Sequence, residues 1–319
     1  MTWTVENPTF DSMSMNTDTV KDQLLDKIIY FSLFNHPLRI DELEKFMPEY
    51  IGDSESISNV IKSIEGISIS DGYILLNNYT CKKDIENRIK YEKSCKAILP
   101  KLDSNSRLIS KFPFVRSIAI SGSVSKGVFK EDGDIDYFVI TKPNRLWVCR
   151  TFLIAYKKLF RLNSKKYFCL NYFVSEESLE IPDHNIYTST EVAFLAPVFG
   201  QKTFDQFIKA NHWYKQIHPW KDSIKIDFKL TPNSESKIKS ISERALGGKI
   251  GEKLDVFFMN LSLKRWKSKF PDFDDDKMEL AMRTKRNISK HHPSNFQERV
   301  IQQFEDRKSK IKLSLNGYQ

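Results

Sequence analysis

The sequence predicts an α+β protein. A small mixed sheet with helices forms its core, with a set of short helices and a hairpin before it and a helical region after it. Three observations carry this. Two apolar runs of strand length, Val115 to Ile120 and Asp134 to Thr141, are separated by a spacer of helix length. Ile67 to Ser70 and Tyr73 to Leu76 flank Asp71-Gly72, a pair suited to a tight hairpin turn. Apolar residues at helical spacing precede and follow these runs, from Val20 to Leu33 and from Leu254 to Trp266.

Composition agrees. Of 319 residues, 40% are hydrophobic and 13% aromatic, enough for a sizeable core. No apolar run reaches the roughly 20 residues of a membrane helix, and the start MTWTVENPTFDS lacks a basic and then apolar leader, so a cytoplasmic protein with no membrane partner is expected. Cys81, Cys95, Cys149 and Cys169 have no C-x-x-C pairing and read as ordinary thiols.

In chain order, residues 1–16 read as a polar tail. Residues 17–80 hold a helix from Thr17-Asp18 with Asp18 as a cap, a second from Ile40 stopped by Pro48, a third capped by Asp53 or Ser54, and the hairpin. Residues 81–112 form a basic helical connector, broken near Pro100. Residues 113–230 form the sheet core, with a helix from Asn144 to Leu162, a strand from Tyr167 to Ser175 and a helix starting at Thr188 to Glu191. On the helix from Asn144 to Leu162, Leu159 is expected to pack inward and Arg150, Lys157 and Lys158 to face solvent. On that strand Phe168, Leu170, Tyr172 and Val174 are expected on one face, and Tyr167, Cys169, Asn171 and Phe173 on the other. Residues 231–319 read as all-helical, around Ser234 to Leu246 and Ile250 to Phe270.

Charge is divided unevenly. Residues 1–80 carry 5 Lys and Arg against 13 Asp and Glu, net −8, while the net charge of the whole chain is +9. A polyanionic partner is therefore expected for the later regions only.

The stretch Ser121 to Thr141 concentrates the chemistry. Gly122 lets backbone approach a ligand closely, and Ser123 can cap a helix whose first N–H groups point at an anion, phosphate being the natural guest. Asp134 and Asp136, two residues apart at the head of a strand, face the same way. Two adjacent carboxylates repel unless a cation sits between them, and oxygen ligation suits Mg²⁺ or Mn²⁺ held with substrate phosphates.

Gly122-Ser123, a spacer, then Asp134-Ile135-Asp136 entering a strand resembles the signature of the polymerase-beta-like nucleotidyltransferases. The resemblance implies that Gly122 and Ser123 bind the β- and γ-phosphates of an NTP, that Asp134 and Asp136 are catalytic and hold divalent ions, and that a third carboxylate on a nearby strand completes the site. Lys126 could reach a phosphate oxygen. In place of the third acid the sequence offers Asn171, with Glu176, Glu177 or Glu191 as substitutes from neighbouring elements. The three helices and hairpin of residues 17–80 look like a winged-helix domain. Their acidity argues for protein contact rather than DNA binding.

A basic cluster, Arg283-Thr284-Lys285-Arg286-Asn287-Ile288-Ser289-Lys290-His291-His292, is the expected acceptor-binding surface for RNA or another polyanion, through Arg283, Lys285, Arg286, Lys290, His291 and His292. It can equally be a solvated polar loop. Arg286 and His291 also fit the R-x4-H spacing of the HEPN ribonucleases. The expectation is a metal-dependent enzyme transferring NMP from an NTP to an RNA end, a protein side chain or a small molecule. The alternative is a degenerate nucleotidyltransferase fold that binds nucleotide or protein without transfer.

Overall fold

A computed structural model describes residues 17–46, 54–162, 166–217, 228–232, 236–292 and 295–316. The expected tail, the stop at Pro48 and the caps at Asp18 and Asp53 lie outside the described residues and side chains.

The chain begins with α1 (Thr17–Ser32), α2 (Ile40–Lys45) and α3 (Ser54–Lys62), then the hairpin β1 (Ile67–Ser70) and β2 (Tyr73–Leu76). The hairpin pairs Ser70 with Tyr73 around Asp71-Gly72, both at positive φ, as its two-residue turn requires. α4 (Lys82–Ser110) follows and runs through Pro100 rather than breaking there. Proline removes one i→i−4 bond, but Ile98 and Leu102 are buried on either side and hold the flanking turns in place. Arg88 of α4 is also buried, not solvated: its guanidinium bonds Pro37 O and pairs with Glu42 and Glu92, which also receive Arg39.

The central sheet comprises β3 (Val115–Ser121), β4 (Asp136–Thr141), β5 (Cys169–Ser175), β6 (Ala196–Phe199), β7 (Thr284–Lys285) and β8 (Ile288–Lys290), in the order β6-β3-β4-β5-β8-β7. Only β4 and β5 are parallel. Between β4 and β5 lies the crossover helix α5 (Leu146–Phe160). α6 (Ile186–Phe194) precedes β6, and α7 (Gln201–Ala210), α8 (Tyr214–Ile217), α9 (Lys237–Ala245), α10 (Lys249–Lys269) and α11 (Asp275–Met282) follow it; after β8 comes α12 (Phe296–Asn316). Among the described residues no helix is long and apolar enough to cross a membrane.

Four local expectations are corrected. The segment after Gly122-Ser123 forms one 3-10 turn, Val124–Lys126, and stops at Gly127, whose left-handed φ of 81° cannot continue a helix. The second strand starts at Asp136, leaving Asp134 in the preceding loop. On α5, Lys157 is buried while Leu159 is exposed, and Arg150 stacks between Trp147 and Trp266. The carboxy-terminal region is not all helical, because the basic cluster folds as the β7–β8 hairpin and extends the sheet. Alternation in a three-residue strand puts Ile288 and Lys290 on one face and Ser289 on the other, a pattern too short to stand out within a run of charges.

Two cores lie on opposite faces of the sheet. One gathers Ile118, Ile120, Tyr137, Val139, Leu170 and Phe173 against α5 and α10. The other gathers Ala119, Phe138, Ile140, Val174 and Ile288 with α6, α7, α12 and the amino-terminal helices, so the acidic region shares its core with the sheet. α10 also caps α5: Asp255, fully buried, accepts from Trp147 N at 2.7 Å and Val148 N at 2.9 Å, satisfying donors the helix start cannot bond itself.

Candidate active site

Gly122 ends β3 at φ +66°, and a Cβ there would stand 2.6 Å from Asp136 Oδ2. Both the backbone and the space admit only glycine, which lets the Asp136 carboxylate lie against the turn. Ser121 pairs with Asp136 across β3 and β4, fixing that approach.

On the other side of β4, the parallel register pairs Asp136 with Cys169. One ligand atom each from Asp134, Asp136 and Cys169 lie within 4.8 Å of one another. The sequence reading missed this thiol, since cross-strand register is not written in one strand's own pattern. Asn171 is the extra residue of a β-bulge: Tyr137 pairs with Leu170 but Phe138 with Tyr172. The bulge reverses the face of every later residue, so Tyr172 turns towards Asp136 and Phe173 towards the opposite core, contrary to the alternation expected. Asn171 Nδ2 donates to Asp136 Oδ1 at 2.7 Å, and its Oδ1 accepts from Cys169 Sγ at 3.1 Å.

Neither aspartate is in an ion pair among the described residues. Burial, then the neighbouring Asp134, pushes the Asp136 carboxyl up to about 7. Burial and the two carboxylates push the Cys169 thiol up well beyond its usual range. Two carboxylates and a thiol converging without a compensating cation fit a divalent ion by their donor chemistry.

The pair opens into a cavity of about 410 Å³, within the size range of small-molecule sites. Its floor is the sheet face around Phe138 and Tyr172, and its walls are the end of α1 with His36, α4, α6 and the start of α12. Gly122, Ser123, Lys126, Asn171 and Glu191 line it. Lys126 Nζ is bound to Gly122 O at 3.1 Å and Glu191 Oε1 at 2.8 Å, so it braces the turn and would reach a phosphate only by leaving Glu191. Burial and nearby cations hold His36 well below the usual histidine range, and burial with Lys290 lowers His292 to about 4, so both imidazoles are neutral at physiological pH.

Of the proposed substitutes for a third acid, Glu191 is in the cavity. Glu176 and Glu177 are not: Glu176 N bonds Thr141 O, at the opposite end of β4 from Asp136. The basic cluster divides. Lys290 and His292 line the cavity, whereas Arg283, Lys285, Arg286 and His291 do not. Arg283 pairs with Asp183 and Glu279, and Lys285 with Glu279. Arg286 pairs with Glu252 of α10, and His291 lies 5.4 Å from Trp266 in the core on the far face. These four are spoken for structurally by the alternation of β8 and by the acids of α10 and α11.

Residues 104–245 match the family model described as a nucleotidyltransferase domain. That segment is similar to nucleotidyltransferase domains. The match leaves the amino-terminal helices, the β7–β8 hairpin and α12 outside it, although each supplies part of the cavity wall or the sheet. Searches of curated proteins and of solved structures found no match. Within the matched segment lie Gly122, Ser123, Lys126, Asp134, Asp136, Cys169, Asn171 and Glu191; Lys290 and His292 reach the cavity from outside it.

Proposed function

We propose that the protein is a divalent-metal-dependent nucleotidyltransferase that moves NMP from an NTP to an acceptor hydroxyl or phosphate bound in the cavity. The observation that carries the reading is the Gly122 turn packed against a converging, uncompensated Asp134 and Asp136 at the mouth of that cavity. A scaffold gains nothing from holding two half-buried carboxylates together. A divalent ion bound there would neutralise the charge that builds on the transferring phosphoryl group.

The chain's own residues would do the rest. Asp134 and Asp136 hold the ion. The Ser121 to Ser123 turn lets the triphosphate approach the backbone, and Lys130 offers positive charge along the wall. The acceptor oxygen forms a bond to the α-phosphorus, the bond to the pyrophosphate oxygen breaks, and the acceptor proton passes to a nearby carboxylate or to solvent. The amino-terminal helices and α12 exclude water from the cavity. The acidic surface of residues 17–80 remains a candidate contact for a protein partner.

The second reading, nucleotide or protein binding without transfer, is favoured by Asn171 standing beside Asp136 where a further carboxylate would be expected. Incubating the full chain with each α-labelled NTP, Mg²⁺ or Mn²⁺, and total cell RNA, protein or small-molecule extract separates the two. Label transfer lost in Asp136→Asn supports the enzyme; NTP binding without transfer or pyrophosphate release under any condition supports the binding module.

A further inference from the structure

We propose that Cys169 is the third ligand of the site, and that Asp134, Asp136 and Cys169 form a cation site selective for thiophilic divalent ions such as zinc over magnesium. The inference rests on the reading of the aspartates as metal-holding, and is independent of whether transfer occurs.

Placement comes first. Cys169 is the cross-strand neighbour of Asp136 in the parallel β4–β5 pair, so its side chain emerges on the same face. Two ligands of one ion, with bonds of roughly 2.0–2.3 Å, sit at most about 4.6 Å apart. Ligand atoms already within 4.8 Å of one another need only small side-chain rotations to close on an ion. Among the described residues no other group of three such side chains meets this spacing.

Asn171, the residue the sequence nominates, is placed to orient ligands rather than to be one. Its amide nitrogen donates to Asp136, and in the metal-free site its oxygen accepts from the Cys169 thiol, so one side chain places both before an ion binds; once the thiol proton leaves, the bond to Asp136 remains. This is the outer-shell arrangement that aims ligands at metals. The bulge at Asn171 makes it possible, by keeping that residue facing the cavity while the strand beyond it changes face.

Ion choice follows from donor softness. Two carboxylates alone suit magnesium or manganese, whereas a thiolate is a poor magnesium ligand and a strong one for zinc, cobalt or cadmium. On binding, the Cys169 S–H bond breaks, a sulfur–metal bond forms and the proton leaves to solvent. Cys169 is 4% exposed, which shields that bond from competing thiols.

The test is titration of the full chain with Co²⁺, read by absorption, in a Cys81→Ser background that removes the exposed cysteine. Saturation at one equivalent with a thiolate-to-cobalt charge-transfer band in the near ultraviolet is expected. Zn²⁺ should abolish the band at stoichiometric addition, and Mg²⁺ only at about 10³-fold excess or more. Cys169→Ser should lose the band, Cys169→Asp should lose it and narrow the preference for Zn²⁺ at least tenfold, and Asn171→Ala should keep it with roughly 10- to 100-fold weaker binding. X-ray absorption of the zinc-loaded, unsubstituted chain gives a variant-free check: a sulfur shell at about 2.3 Å beside oxygen is expected. Cobalt bound without the band, a band surviving in Cys169→Ser, Mg²⁺ displacing as readily as Zn²⁺, an oxygen-only shell or no cobalt binding would each overturn the inference. A thiolate-bound ion in a chain that transfers no nucleotide would leave it standing and overturn the proposed activity instead.

Discussion

The sheet carries two dense clusters of charge, and they are handled in opposite ways. On β4 and the loop before it, Asp134 and Asp136 converge on each other and on a thiol, with no ion pair among the described residues. On β7 and β8, nearly every cation is matched: Arg283 with Asp183 and Glu279, Lys285 with Glu279, Arg286 with Glu252, and Lys290 with Asp183. Charge density in sequence is therefore a poor guide to function, and the balance of charge in space is a better one. A compensated cluster holds the fold together, while an uncompensated one is held ready for a ligand.

The sharpest way to break the contrast is Asp136→Asn. Removing the carboxylate should lower any metal-dependent NTP turnover by at least about 10³-fold, several kcal/mol of charge stabilisation, in a steady-state assay. The fold should survive and melt no lower in metal-free buffer at pH 8, because a repelled charge is removed. Unchanged turnover would mean that the pair is not the metal site.

Arg283→Met asks the opposite of the compensated cluster. Arg283 is largely buried beside Asp183, at 2.8 Å, so its loss leaves that carboxylate with Lys290 alone and should cost about 2 kcal/mol in urea denaturation. Loss of under about 1 kcal/mol would show that the cluster is not what holds β7 and β8 in place.

The pH dependence sharpens the comparison further. The folded Asp136 carboxyl keeps its proton up to about 7, whereas the unfolded one releases it near 3.9. The folded state therefore binds more protons, and this group's contribution without metal should be fully present below about pH 4 and lost as pH rises through 7. A cation held by Asp136 and the Cys169 thiolate must displace both protons, so its affinity should fall by about a hundredfold per pH unit below 7 and about tenfold per unit just above it, measurable by calorimetry at pH 5.5, 6.5, 7.5 and 8.5. A flat profile would place the proton elsewhere.

The smallest effect belongs to Arg286→Gln. Its pair with Glu252 is half-exposed and its Nε stands 3.7 Å from the buried Asp255, so stability should fall by about 1 kcal/mol and turnover not at all. A marked loss of acceptor affinity would return this residue to the binding surface.

The site's first half was legible in sequence because its parts are local. Gly122, Asp134 and Asp136 lie within fifteen residues, and the demands of a turn and a repelled pair are visible without a fold. The second half was not. Cys169 reaches Asp136 through strand register, and the bulge at Asn171 inverts the alternation on which the facing of Tyr172 and Phe173 was reckoned. The β7–β8 hairpin hid inside a basic run because two- and three-residue strands leave almost no periodic trace. Pro100 misled for a related reason: a rule about isolated helices gave way to tertiary packing at Ile98 and Leu102.

The clasp between α1 and α12 has a consequence for synthesis. Lys308 meets Asp26, Lys312 meets Asp22 and Arg307 meets Ser32, joining residues more than 270 positions apart, and both helices also contribute to the wall of the cavity. At 5–20 residues per second, α12 leaves the ribosome roughly 15 to 60 s after α1 is made. Until then the sheet's polar cleft stands open on one side, and an apolar stripe of α1 has no cover. A nascent chain thus exposes apolar surface for most of its translation, and it is during this interval, not in the finished protein, that a chaperone would find the most to hold.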